Sequence, residues 1–467
     1  MKRLFLPVVL GLVTLNLCVT ASAVTPQKLN FIFVLVDDFG WTDLGVQGST
    51  FYQTPNIDRL AREGMRFTQA YSACTVCSPT RAAALTGKYP ARLRITDWIK
   101  GHFRPNAKLK VPDWTMHLPL EEITIAEALK RGGYATASIG KWHLGGPEFY
   151  PDKQGFDENI GGCDKGQPPS YFSPYGIPTL ADGPKGEFLS DRLTDEALNF
   201  IARNKSKPFF IYLPHYAVHT PLAGKPEVIA KYERKADPKN PQHNAKYAAL
   251  VESVDDSMGR IRQKLEEIGI ADNTVIIFTS DNGGLVLNNV TSNLPLRVGK
   301  GSAYEGGVRV PLFIKWPGVT QPGSTCDTPV ITPDFYPTIL KMAGLAIENK
   351  RSVDGESLVP LLKQNGTLRR TAIYWHYPHY HQGGATPYSA IRQGDWKLLE
   401  FFEDNRVELY NLREDIGEQD DLAAKVPSRA NALRKQLHAW RKQVGAQLPS
   451  PNPDYNSQRL NSAEKSR

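Results

Sequence analysis

The sequence predicts an α/β fold, a mixed and mostly parallel sheet flanked by helices, with a smaller C-terminal α+β subdomain. Three observations point there. Apolar, β-rich runs alternate with helical patterns up to about Arg370, the rhythm of strand–helix–strand units. One run, Thr274 to Ser280, is nearly continuous in apolar residues, as strands covered on both faces are. Beyond Arg370 the texture changes to short aromatic runs, which read as antiparallel strands.

Taken in order, Asn30 to Val36 reads as the first strand, Pro55 to Gly64 as a helix and Met65 to Tyr71 as one extended run. A helix over Leu120 to Arg131 leads into a strand at Tyr134 to Ile139, and a helix near Ser190 to Asn204 leads into Pro208 to Leu213. The amphipathic stretch Ala245 to Ile268 precedes the strand ending at Ser280. In the C-terminal part, Gln393-Gly394-Asp395 signals a hairpin, Ser428 to Val444 a helix, and the chain frays from about Pro449. The expected organisation is residues 24–370 as a catalytic domain, 371–448 as a subdomain and 449–467 as a tail.

Residues 1–23 read differently. Met1-Lys2-Arg3 is basic, Leu4 to Val19 is apolar, and Ala21-Ser22-Ala23 offers a cleavage site. This is the pattern of a secretory leader cut after Ala23, its apolar run being shorter than the roughly 20 residues a spanning helix needs. The mature chain is expected to be secreted or periplasmic, with no membrane insertion. Its cysteines, Cys74, Cys77, Cys163 and Cys326, are too sparse to frame a fold by disulfides. The formal net charge is +8, but Lys and Arg are scattered, which argues against nucleic acid as a partner.

Open α/β sheets build their sites at the carboxyl ends of strands, and two strands end in oxygen donors. The first runs into Asp37-Asp38; Thr274 to Ser280 runs into Asp281-Asn282-Gly283-Gly284. For Asp-Asp alone a solvated turn would suffice, but three carboxylates and an amide are what a hard cation such as calcium selects. The sharpest signal is Cys77-Ser78-Pro79-Thr80-Arg81, continued by Ala82-Ala83-Ala84-Leu85-Thr86-Gly87. Pro79 favours a first helical turn, which puts Cys77 at or just before a helix N-terminus, where amide donors favour negative charge. Arg81 falls one turn later on the same face. A buried structural cysteine and a Cys74–Cys77 redox pair are the competing readings.

Cys-x-Pro-x-Arg with this Ala-rich continuation resembles the motif of the type I, formylglycine-dependent sulfatases of the alkaline phosphatase superfamily. Four other segments follow in the same family's order: Asp37-Asp38-Phe39-Gly40-Trp41, Gly140-Lys141-Trp142-His143-Leu144-Gly145, His219-Thr220-Pro221 and Ser280-Asp281-Asn282-Gly283. Lys300, ahead of Tyr304-Glu305-Gly306-Gly307-Val308-Arg309, matches a fifth. The resemblance implies an alkaline-phosphatase-like fold and hydrolysis of sulfate esters. It implies that a maturation enzyme oxidises Cys77 to formylglycine, and that one calcium ion is held by Asp37, Asp38, Asp281, Asn282 and the modified residue 77. It further implies that Arg81 holds the hydrated aldehyde, that Lys141 and Lys300 neutralise sulfate oxygens, and that His219, with Lys300 as a second candidate, protonates the leaving group. His143 would take the proton that releases sulfate. Lys141 and His143, two apart on an extended segment, are expected to point the same way.

The substrate pocket is less legible. Trp98 and His102, then His376 and His379 within an aromatic–histidine run, together with His215 and Arg392, are the expected lining, and such groups suit sugars or aryl rings. A sulfated carbohydrate is the expected substrate; a broad arylsulfatase, or a phosphomonoester or phosphonate hydrolase of the same superfamily, is the alternative.

Overall fold

The computed structural model describes residue 4 and residues 28–102, 104–348 and 352–456. The leader and its cleavage site after Ala23 lie outside the described residues. An eight-stranded sheet forms the centre. Asn30–Val36 lies between Thr274–Ser280 and Phe209–Pro214, parallel to both, and Ala135–Ile139 and Glu158–Ile160 extend the parallel part. On the other side Leu312–Lys315 runs antiparallel to both Thr274–Ser280 and Met65–Phe67, which makes the sheet mixed.

Helices cover both faces because successive side chains alternate across a strand. Phe209 meets Phe200 of the helix Leu189–Arg203 with ring centroids 6.2 Å apart. Tyr212, on the opposite pleat, meets Phe33 at 5.7 Å, and Phe33 meets Phe335 of the helix Phe335–Met342 at 5.1 Å. Every residue of Asn30–Val36 and of Thr274–Ser280 is buried, which is why these runs carry no polar alternation.

A four-stranded antiparallel sheet, Ala372–Tyr377, Tyr388–Gln393, Trp396–Phe401 and Val407–Asn411, follows in chain order. Gly394 makes its expected hairpin with φ 59°. The helix Pro427–Val444 packs on it, Trp440 stacking on Tyr374 at 4.8 Å. Trp375 joins the two sheets by donating from Nε1 to the Ser72 carbonyl at 2.9 Å.

Three elements differ from expectation. The run from Met65 divides, since Ala70–Tyr71 leaves the main sheet to pair with Val330–Ile331. The helix expected from Leu120 starts at Ile125, where Thr124 and Glu127 form a reciprocal capping box. The tail is paired at its start: Ser450–Pro451 runs antiparallel to Leu109–Lys110. Among the described residues no helix is long and apolar enough to cross a membrane.

Candidate active site

Loops leaving the carboxyl ends of neighbouring parallel strands converge on one point. Val36 and Ser280 are register partners, so Asp37-Asp38 and Asp281-Asn282 emerge side by side. Lys141 follows the strand Ala135–Ile139 and His219 the strand Phe209–Pro214. Cys77 is the first residue of the helix Cys77–Thr86, behind an extended Val76 that supplies no side-chain cap. The first amides of that helix are thus left facing the site. Asp38 (φ 59°) and His143 (φ 58°) both adopt the left-handed conformation, costly for residues with a Cβ and typical of functional loops. His143 therefore does not sit on an extended segment with Lys141, as expected, although both residues border the site.

Three cations and three carboxylates interlock here, nearly all out of water. Lys141 Nζ donates to Asp37 Oδ2 at 2.6 Å. Lys300 Nζ lies 2.6 Å from Asp38 Oδ1 and 3.6 Å from Cys77 Sγ. Arg81 donates from Nε and Nη2 to Asp281 Oδ2 at 2.9 and 2.7 Å, and from Nη1 to the Lys141 carbonyl at 3.0 Å. Burial acts against charge on every carboxylate, and the outcome depends on the neighbours. At Asp38 burial is outweighed by Lys300, then His219 and Lys141, and the group is held below its usual range. At Asp37 burial prevails over Lys141, with Asp281 adding repulsion, and the carboxyl is pushed upward. Burial pushes the Cys77 thiol up to about 11, so an unmodified Cys77 is a protonated, inert thiol near neutral pH.

The residues fit a hard divalent cation. Asp37 Oδ1, with Arg81 Nη2 3.5 Å away, and Asn282 Oδ1 are buried and accept no hydrogen bond from the described residues, a costly state for oxygen atoms unless a cation takes their lone pairs. Asp37, Asp38, Cys77 and His219 each bring one ligand atom within 4.8 Å of the others. His219 is the member not foreseen as a ligand.

A cavity of about 420 Å³ opens over Cys77, bounded by Asp38, His143, His219 and Lys300. The His143 ring donates from Nε2 to the Ile99 carbonyl, leaving a buried Nδ1 without a partner. Gly166 lies against this ring; a Cβ there would sit 2.6 Å from His143 Cε1. Burial, then Lys141, keep that imidazole neutral, and burial, then Lys300, push His219 down to about 3. Trp98 and His102 line the cavity as expected, with Gln167, His381 and Gln382 completing the wall.

Four expected lining residues do not reach it. His215 continues the strand pairing, its N–H bonded to Leu35, and its ring turns toward Ser257 in the helix Ala245–Glu267. Arg392 is spent on Tyr71, Gln69 and the Gly394 carbonyl, between the two sheets. His376 is bonded between Ser389 Oγ and the Gln447 carbonyl, and His379 to Thr96 Oγ1. Arg392, His376 and His379 are held by contacts made in or beside the C-terminal sheet, His215 by the main sheet and the helix behind it. His381 and Gln382, just beyond the strand, reach the cavity instead.

The family model described as Sulfatase matches residues 29–345. The chain belongs to the sulfatase family. It is a type I sulfatase of the alkaline phosphatase superfamily, and so a sulfuric ester hydrolase. The family model described as N-sulphoglucosamine sulphohydrolase, C-terminal, matches residues 298–444. A protein described as sulfatase from Formosa agariphila is 35% identical over 500 residues, covering 89% of each chain. Human N-acetylgalactosamine-6-sulfatase is 35% identical over 380 residues, 75% of this chain and 69% of its own. Among solved structures, Ps i-CgsB in complex with k-i-k-neocarrahexaose superposes with a TM-score of 0.77 at 30% identity, covering 94% of this sulfatase and 98% of that chain. The fold extends to the phosphonate monoester hydrolase of Agrobacterium radiobacter, with TM-score 0.65 and 20% identity over 89% and 96% of the two chains.

Proposed function

We propose that this sulfatase removes sulfate from a sulfated carbohydrate, using residue 77 after its oxidation from cysteine to formylglycine and one calcium ion. The observation that carries the reading is the position of Cys77, at a buried helix N-terminus on the floor of a cavity, with Lys300 Nζ 3.6 Å from its sulfur. Asp37, Asp38, Asp281, Asn282 and residue 77 would hold the ion. Calcium there would draw negative charge from the sulfate oxygens, and oxidised residue 77 would supply a hydroxyl nucleophile that a buried thiol does not.

The chain's own side chains have definite tasks in that reading. Lys141 and Lys300 present ammonium groups to the oxygens of the bound ester, so that an anionic centre becomes open to attack. Arg81, locked to Asp281 and to the Lys141 carbonyl, fixes the floor beneath residue 77. His219 donates from Nδ1 to the Thr220 carbonyl at 2.8 Å, so Nε2, 3.6 Å from Asp38 Oδ2, carries a proton for the departing oxygen only in the imidazolium form, which a bound anionic ester beside it would favour. His143, with Nε2 engaged by Ile99, has Nδ1 free to take up a proton as sulfate is released. Trp98 and His102 offer an aromatic face and a ring nitrogen to a sugar. Human N-acetylgalactosamine-6-sulfatase and the carbohydrate complex of Ps i-CgsB support the choice of substrate class. Export by way of residues 1–23, to the periplasm or beyond, belongs to the same reading.

Protein co-produced with a formylglycine-generating enzyme should carry an aldehyde in the peptide containing residue 77, detectable by mass spectrometry. It should hydrolyse nitrophenyl sulfate far faster than nitrophenyl phosphate and desulfate at least one member of a panel of sulfated oligosaccharides. An unmodified thiol in fully active protein would refute the mechanism, and faster phosphate hydrolysis would refute the reaction.

A further inference from the structure

A second depression, about 640 Å³ in volume, adjoins the cavity over Cys77, and the two share His102 as a wall. Nothing in the proposed chemistry uses it. Its side is built from residues 105–114 and is stitched to the C-terminal segment. Asn452 Nδ2 donates to the Pro105 and Ala107 carbonyls at 2.9 and 2.7 Å, and Ser450–Pro451 pairs with Leu109–Lys110. Tyr380 accepts from the Leu109 N–H at 3.0 Å and donates to Glu403 at 2.6 Å. The groove is thus formed in advance, which lowers the entropy cost of binding.

Its chemistry is mixed in a particular way. Trp114 is half-buried, its ring 5.7 Å from that of His379, and it borders the groove. Arg104, Lys110, Asp113 and Asp454 line the same groove with exposed side chains, two of each sign. The two carboxylates oppose a polyanion there, and an apolar ligand would leave all four charges idle. A sugar ring matches the set, because its C–H face packs on an aromatic plane while its hydroxyls both donate and accept hydrogen bonds.

We infer that the groove beyond His102 binds the sugar flanking the sulfated one, so that this sulfatase takes oligosaccharide chains in preference to free sulfated monosaccharides. The inference rests on the carbohydrate reading above. Its test uses the panel member that the wild type desulfates fastest, as monosaccharide and as tetrasaccharide, with nitrophenyl sulfate as the chain-free probe. The wild type is expected to favour the tetrasaccharide through a lower KM. In Trp114→Ala the ratio of kcat/KM for tetrasaccharide to that for nitrophenyl sulfate should fall roughly tenfold, through KM. Asp113→Ala, a change at an exposed side chain, should lower the same ratio more mildly and guards against a folding defect in the tryptophan variant. Equal kcat/KM for monosaccharide and tetrasaccharide, with neither variant moving the ratio, would overturn the groove while leaving the carbohydrate reading intact. Turnover of nitrophenyl sulfate with no sulfated sugar accepted would overturn both.

Discussion

Lys397 is fully buried between two glutamates, 3.0 Å from Glu305 Oε1 and 2.9 Å from Glu418 Oε1. Glu305 opens the short helix Glu305–Val308, on the segment that also carries Lys300, while Lys397 belongs to the C-terminal sheet. Lys397→Met keeps the aliphatic stem and removes the charge. Stranding a buried carboxylate costs about 3–5 kcal/mol, and two are stranded here, but both have some relief. Glu305 keeps the Tyr71 hydroxyl at 2.7 Å and Arg309 at 3.3 Å. Glu418, which burial and then the charge of Glu305 push upward against Lys397, should protonate once the ammonium is gone. The expected loss is therefore near the lower end, about 3 kcal/mol. Adding Glu418→Gln to Lys397→Met removes one carboxylate and should restore about 1–2 kcal/mol. Urea unfolding at neutral pH, followed by tryptophan fluorescence and circular dichroism and used only where the two coincide, measures both. A loss below about 1 kcal/mol with no recovery in the double variant would refute the assignment of a single shared cation to this pair.

Cys77→Ser should lower turnover by a factor on the order of 10⁴ or more and leave sulfate covalently on the side chain, to be seen by intact mass. Treatment with a chelator should lower the melting temperature by a few degrees and weaken binding of inorganic sulfate, read by calorimetry, both restored by calcium; at a hundredfold excess over its dissociation constant a bound ion adds about 2.7 kcal/mol. His376, bonded between Ser389 and Gln447, is pushed by burial down to about 4. A base depressed on folding costs nothing above its unfolded value near 6.5, so stability should fall as pH drops from there toward 4, by up to about 3 kcal/mol, with a shallower fall in His376→Gln. Asp255 accepts the N–H groups of Asn56 and Ile57 at 3.0 and 2.8 Å at the start of the helix Pro55–Glu63. Asp255→Ala should cost about 1–2 kcal/mol in the same unfolding assay.

What the chain reveals before folding is set by how far apart the cooperating residues lie. Asp37-Asp38 and Asp281-Asn282 were legible because each pair directly follows a run that only a buried strand explains, and Cys77 because helix-start chemistry surrounds it within five residues. The helix start at Ile125 was equally open to reading, since Thr124-Ile125-Ala126-Glu127 is a capping signature. His381 closes the aromatic–histidine run from Tyr374 without being singled out of it, and Gln382 and Gln167 carried no local signal. They meet at the cavity only because the C-terminal sheet docks on the first domain through contacts such as Trp375 to Ser72. His215 misled by its spacing of four from His219, which suggests a shared face only if the segment is helical; here it is the end of a strand, and alternation turns the ring inward. The error at Arg392 has the same origin, as one arginine in a strand reads alike whether it meets a ligand or the Tyr71 hydroxyl of another sheet.

The charge balance of the site gives a reason why a metal, and not lysine alone, would draw the substrate in. Asp37 is matched by Lys141, Asp38 by Lys300 and Asp281 by Arg81. With all three carboxylates ionised and both nearby histidines neutral, this set sums to zero, and a neutral cage offers an incoming sulfate ester no net attraction. The ammonium groups are also already engaged by carboxylates, so an ester oxygen would have to compete with Asp37 and Asp38 for them. A divalent cation bound to those carboxylates would change both facts, since it would raise the site to a net positive charge and compete with the lysines for Asp37 and Asp38. The lysines would then have donors to spare for sulfate. The buried oxygens of Asp37 and Asn282 that accept no hydrogen bond from the described residues would be the counterpart of that arrangement, lone pairs available to a cation at the expense of hydrogen bonds within the protein.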